Sequence, residues 1–175
     1  MQAISFIIGT VFTLYSVVLL LRLLLQVVRA DFRNPVARAI VQLTNPVILP
    51  LRRVLPPLGK LDTASLVALI LCTVVKLWIL LALLRGIAPP PSTMLVATLL
   101  ELVRLVLMTY LFSIVLNALL SFLAPGNYSP VQALLHSLCE PVLRPFRRVI
   151  PPVGGLDLSP LVPIILIQAL LIAIS

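Results

Sequence analysis

Residues 45–62 (NPVILPLRRVLPPLGKLD) return at 140–157 as EPVLRPFRRVIPPVGGLD, with no gap and an offset of 95 residues. The same offset carries Tyr15 onto Tyr110, Pro35 onto Pro130, Pro46 onto Pro141, Pro50 onto Pro145, and Arg52-Arg53 onto Arg147-Arg148. Pro56-Pro57 fall on Pro151-Pro152, Gly59 on Gly154, and Asp62 on Asp157. A chain built from one segment used twice is expected to fold into two related halves, so the sequence predicts a pseudo-twofold object. The expected repeats are residues 1–90 and 91–175.

The solvent follows from composition. Hydrophobic residues make up 61% of the chain, charged residues 10%, and the mean hydropathy is +1.21. A water-soluble globule of this size cannot hide that much apolar surface. Four apolar stretches, 3–28, 62–85, 93–123 and 157–174, each approach or exceed the ~20 residues that a helix needs to cross the hydrocarbon core. Continuous runs such as residues 19–25 lack the alternation of a barrel strand. The expected fold is an all-α membrane protein with four transmembrane helices in two tandem repeats, each repeat reading helix, interfacial amphipathic helix, helix. The first stretch has no basic residue before its apolar run and no small-x-small site near its end, so it reads as a retained helix, not a signal peptide.

Proline placement supports this map. Of 16 prolines, all but Pro160 and Pro163 fall between the spans. In the last span Ser159 is a candidate cap and Pro160 a candidate first helical residue. Asp62 and Asp157 stand where the second and fourth spans begin, and an acidic residue there complements the positive end of the helix dipole.

Orientation follows from Lys and Arg. The segment after span one carries Arg29, Arg33, Arg38, Arg52, Arg53 and Lys60, and the segment after span three carries Arg144, Arg147 and Arg148. The connection between spans two and three carries Arg85 alone. The positive-inside rule therefore puts the two repeated segments in the cytoplasm and both termini outside. The formal charge of +8 belongs to a membrane-facing surface. It does not mark a nucleic-acid partner, because no stacking platform or nucleic-acid motif accompanies it.

Each repeated segment, 34–55 and 129–150, reads as an amphipathic helix lying on the membrane or dipping shallowly into it. In the second copy Val131, Leu134, Leu135, Leu138, Val142, Phe146 and Val149 recur at helical spacing, and Gln132, His136, Glu140, Arg144 and Arg148 form a polar stripe. Val36, Ile40, Leu43, Val47, Leu51 and Val54 repeat the pattern in the first copy. The prolines four apart predict a kink. Pro56, Pro57 and Gly59, like Pro151, Pro152 and Gly154, then turn the chain back into the membrane. Two readings of the Arg pair stay open. Arg52, Arg53, Arg144, Arg147 and Arg148 either anchor anionic lipid headgroups, at ~1 kcal/mol each, or bind an anionic ligand or the acidic patch of a partner.

Residues 145–160 (PFRRVIPPVGGLDLSP) resemble the signature of the YggT (YlmG-like) family of small integral membrane proteins. The first copy, 50–64, is similar and departs at Lys60, where the signature has a second glycine. The resemblance covers essentially the whole chain as two family repeats. It implies a multi-pass protein of a Gram-negative inner membrane. Family associations are osmotic tolerance and potassium uptake in enteric bacteria, a cell-division gene neighbourhood in Gram-positives, and cytochrome maturation in plastids.

Catalysis finds no foothold in the sequence. His136 aligns with Val41, and Cys72 and Cys139 align with Ile167 and Thr44, so neither residue type forms a duplicated site. No haem-attachment, zinc, phosphate-loop or nucleophile motif appears, and no enzyme activity, cofactor or metal is expected. Ionisable residues inside the spans are the other lead, because each is costly there. Arg22 lies close enough to the cytoplasmic end of span one to snorkel. Lys76 and Glu101 fall at similar depth on consecutive spans, and Arg104 shares the face of Glu101. They read as a structural ion pair or as an ion or proton relay. Two functions remain open: a scaffold or assembly factor, working as a homo-oligomer or in a membrane complex, and a transport-related protein in osmotic adaptation.

Overall fold

A computed structural model describes residues 2–55, 62–85, 90–123, 129–149 and 157–174. Among the described residues the chain is all-helical: α1 (Gln2–Val27), α2 (Pro35–Val54), α3 (Thr63–Arg85), α4 (Pro91–Leu123), α5 (Pro130–Arg147) and α6 (Leu161–Ala173). The proposed turn residues Pro56, Pro57, Gly59, Pro151, Pro152 and Gly154 lie outside the described residues.

Three helices, α1, α3 and α4, are long and apolar enough to cross a membrane. Four were expected. The stretch from 157 yields a helix of only 13 residues, roughly 20 Å against a hydrocarbon core of about 30 Å. The reason is local. The Asp157 carboxylate accepts a bond from the Ser159 N–H at 3.0 Å, and Leu161 N–H bonds back to Leu158 O at 3.2 Å. These bonds hold 157–160 in a turn, so α6 begins at Leu161. Ser159 does not cap it, because the Ser159 hydroxyl is buried without a hydrogen-bond partner.

The ends of the other helices follow from their residues. Asn34 caps α2 by accepting from Val36 N–H at 2.9 Å, and Pro35 occupies the first turn, where its missing N–H leaves nothing unbonded. Ser129 and Pro130 repeat the arrangement on α5, Gln132 N–H donating to the Ser129 hydroxyl at 3.1 Å. Both helices run on through two internal prolines, Pro46 and Pro50 in α2, Pro141 and Pro145 in α5. Each proline deletes a backbone bond, so packing holds these helices where propensity would not. At the end of α1, Arg29 takes a φ of 54°. Ala30 N–H bonds to Leu25 O and Arg29 N–H to Gln26 O, the pair of bonds that closes a helix through a left-handed residue. Leu25 and Ala30, both buried, make the apolar contact that accompanies this motif.

Packing repeats with the sequence. Helices α1, α2 and α3 all touch one another, as do α4, α5 and α6. The first cluster centres on Leu19 and Ile48, the second on Ile114 and Leu143, which occupy the same repeat positions. A third cluster, with Leu25, Ala37, Ile40 and Leu134, joins α1 and α2 to α5 across the repeats. The amide of Asn34 adds a bond to Pro130 O at 2.7 Å. Outside this interior the long helices are coated with exposed apolar side chains, among them Phe6, Leu14, Trp78, Leu95 and Phe112. Water does not tolerate an apolar patch of that extent, whereas lipid does.

The packed stripe of each middle helix differs from the one read in sequence. On α2 the buried residues are Ala37, Ile40, Thr44 and Ile48, and on α5 they are Leu134, Leu138, Cys139 and Leu143. Leu43, Val47 and Val54 on α2, and Val131 on α5, are exposed instead. Small Ala37 and polar Thr44 win the interior face because α1 comes close there and offers Thr44 a buried partner.

Candidate functional site

That partner is Arg22. It is only 4% exposed, and its Nη1 donates to Thr44 Oγ1 at 2.7 Å, Asn45 Oδ1 at 3.0 Å and Val41 O at 3.3 Å. The expected snorkelling arginine is thus a buried bolt between α1 and α2. A buried guanidinium is tolerable only when its donors are satisfied, and a polar Thr-Asn pair just before Pro46 supplies the acceptors. Such a pair on a helix otherwise packed by apolar residues was the signal available in the sequence.

A second arginine ties the end of α2 to the start of α3. Arg52 Nη2 lies 2.6 Å from Asp62 Oδ2 and its Nε 3.4 Å from Oδ1, while Ser65 donates to the same carboxylate at 2.6 Å. Asp62 is 1% exposed. Burial alone would raise its pKa, but the Arg52 and Ser65 bonds, with the charges of Arg52 and Arg22, hold it below the usual carboxylate range. The second repeat makes the same clamp. Arg147 Nε bonds Asp157 Oδ2 at 2.9 Å, and its Nη1 bonds Glu140 Oε2 at 2.6 Å. Asp62 stands immediately before α3 and Asp157 in the turn four residues before α6, and each is half of an ion pair in its repeat. The ten-residue Arg–Asp spacing, present in both copies, was the legible sign. Arg53, Arg144 and Arg148 are exposed.

Deeper in the bundle Lys76 of α3 pairs with Glu101 of α4 and also donates to Thr13 of α1 at 3.2 Å. Lys76 is buried and Glu101 partly so. Three helices from both repeats therefore meet at one ammonium. Beside it, Glu101 and Arg104 line a cavity of about 520 Å³ between α1 and α4, together with Thr13, Met108, Thr109 and Ser113. His136 approaches Glu140 at 3.9 Å on the exposed side of α5. Cys139 is buried, and burial pushes its thiol up to about 12 despite the nearby Arg147, so it is no nucleophile at neutral pH. Among the described residues no group of three or more His, Cys, Asp or Glu could hold a metal ion.

Helices with an apolar coat, few internal charges and Arg–Asp clamps define a membrane protein built from two helical repeats. The CCB3/YggT family model matches twice, at residues 1–90 and 96–175, and the chain belongs to that family. It is 39% identical over 157 residues to an uncharacterised protein of Pseudomonas aeruginosa, covering 89% of this chain and 80% of that one. It is 40% identical over 169 residues to an uncharacterised Vibrio alginolyticus protein encoded in the proC 3′ region, covering 96% and 91%. With the uncharacterised protein YggT of Escherichia coli K12 it shares 34% identity over 170 residues, 97% of this chain and 88% of the relative. No solved structure matches the chain.

Proposed function

We propose that this chain is a non-enzymatic inner-membrane scaffold or assembly factor, which gathers anionic lipid and a partner complex on α2 and α5. The observation that carries this reading is the pairing of exposed apolar residues with exposed basic ones on the same two helices. Leu43, Val47 and Val54 lie on α2 with Arg53, and Val131 lies on α5 with Arg144, while Arg148 follows its end. An interfacial helix buries the first kind in acyl chains and offers the second to headgroups. In this reading α6 and the turn before it make a fourth crossing, the bilayer thinning to match the short helix. Both termini are then periplasmic. Affinity purification from native membranes tests it: a reproducible complex lost on Arg53→Gln/Arg148→Gln supports the scaffold, and recovery of the lone chain opposes it.

A second reading rests on the Lys76–Glu101–Thr13 cluster and the cavity beside it. Buried charge at the wall of a largely apolar cavity, with Glu101 and Arg104 on its lining, suits an ion or proton path. Potassium and proton flux in proteoliposomes decides between the two. Flux abolished by Glu101→Gln establishes transport, and impermeable vesicles leave the scaffold.

A further inference from the structure

The first repeat carries a cationic pocket whose arginines are only partly matched in the second repeat. It opens between the end of α1 and the outer face of α2, has a volume of about 530 Å³, and is lined by Arg22, Gln26, Phe32, Arg38, Gln42 and Arg52. That volume falls among small-ligand pockets, roughly 300–1,000 Å³. The lining follows from helical spacing. Arg22 and Gln26 are one turn apart on α1, and Arg38, Gln42 and Arg52 share one face of α2. The three Arg22 bonds all use Nη1 and fix the guanidinium at the pocket wall. Arg52 is oriented by Asp62. Arg38 is exposed.

Three guanidiniums around one pocket repel one another, and Asp62 offsets only one of them. The second repeat packs its three helices together with different residues at most of these positions. At the equivalent positions stand Asn117 for Arg22, Ala133 for Arg38 and Ser137 for Gln42. Arg147 replaces Arg52, but it is bonded to two carboxylates, Asp157 and Glu140. Where Glu140 stands, the first repeat has Asn45, which adds no negative charge and accepts from Arg22. Cationic surplus thus collects in one copy alone.

We propose that this pocket binds a phosphate group, carried by an anionic lipid headgroup or free in solution. Guanidinium forks match phosphate oxygens in geometry, and the exposed Gln42 amide can donate to an oxygen left over. The proposal rests on the interfacial placement of α2, since a lipid phosphate arrives at that depth. The two readings fail separately, because free phosphate needs no bilayer.

The test uses the full chain in nanodiscs at physiological ionic strength. One arm titrates inorganic phosphate calorimetrically in phosphatidylcholine. The other reads, by native mass spectrometry, retention of phosphatidylglycerol over phosphatidylcholine. Saturable one-to-one binding in either arm is expected, and the arm that shows it names the source. Arg38→Gln, on an exposed side chain, should weaken it about tenfold or more, the worth of one charge-assisted bond. Arg33→Gln, equal in charge change but outside the pocket, should leave it unchanged. Equal weakening by both variants, or no saturable binding in either arm, overturns the proposal. If phosphate binding persists while Arg53→Gln/Arg148→Gln loses no partner or lipid, the scaffold reading falls and the pocket stands.

Discussion

Arg29 holds a backbone conformation that costs an L-residue about 1–2 kcal/mol, because its Cβ crowds the following carbonyl. Glycine removes that cost but gives back part of it as unfolded-chain entropy, up to about 1 kcal/mol. Arg29→Gly should therefore melt at or slightly above the parent in detergent. Arg29→Val, β-branched and poorly suited to positive φ, should melt clearly lower. A valine variant that melts like the parent would mean that α1 does not end in this motif. The Lys76–Glu101 pair gives a sharper ordering. Removing one charge strands the other, at roughly 3–5 kcal/mol by comparison with buried pairs in soluble proteins. Glu101→Leu leaves the buried Lys76 with Thr13 alone for its ammonium, whereas Lys76→Met leaves Glu101 with Arg104 three residues away. Glu101→Leu should be the worst single change, Lys76→Met gentler, and the double variant the mildest. If every single variant melts like the parent, the pair contributes nothing to folding.

At the scale of elements, the Arg–Asp clamps decide how each middle helix meets the next one. Asp62 has a folded-state pKa below the ordinary 3.8. Its contribution is therefore complete above the unfolded value and is lost as pH falls through the folded one, in acid below about pH 4. Asp62→Asn should lower the melting temperature at neutral pH, and the gap to the parent should close as the buffer is taken to pH 3. A gap that does not change with pH would show that shape, not charge, matters at this position. The elements were also where the sequence was most legible. Apolar length marked α1, α3 and α4, and the repeated amphipathic segments 34–55 and 129–150 marked α2 and α5. The length of α6 was hidden, because an Asx-type bond from the Ser159 N–H to Asp157 looks in sequence like ordinary helix initiation. The buried face of α2 was hidden too. Polar Thr44 is satisfied in the interior because Arg22, 22 residues earlier, donates to it, and a one-helix periodicity cannot see a partner on another helix.

Across the whole molecule, duplication has produced two halves with the same packing and different electrostatics. Three interior positions that are polar in the first repeat turn apolar in the second: Ser16 becomes Leu111, Thr44 becomes Cys139, and Lys76 becomes Leu171. The arginine pairs divide as well. Arg52 and Arg147 are committed to carboxylates, whereas Arg53, Arg144 and Arg148 are exposed. Structural and lipid-facing roles should therefore separate within each pair. Arg53→Gln with Arg148→Gln should leave the melt unchanged and reduce the enrichment of phosphatidylglycerol around the protein, by ~1 kcal/mol for each arginine removed. That reduction should shrink as salt is raised, because screening acts on exposed charge. Arg52→Gln with Arg147→Gln should lower the melt by stranding Asp62 and Asp157, and should take from the lipid enrichment only the share held at the Arg52 pocket. Lipid exchange between nanodiscs and thermal melts on the two double variants measure both effects side by side. If the pairs behave alike in both measurements, the clamps do not set the inner arginines apart, and all four act as one diffuse patch of positive charge.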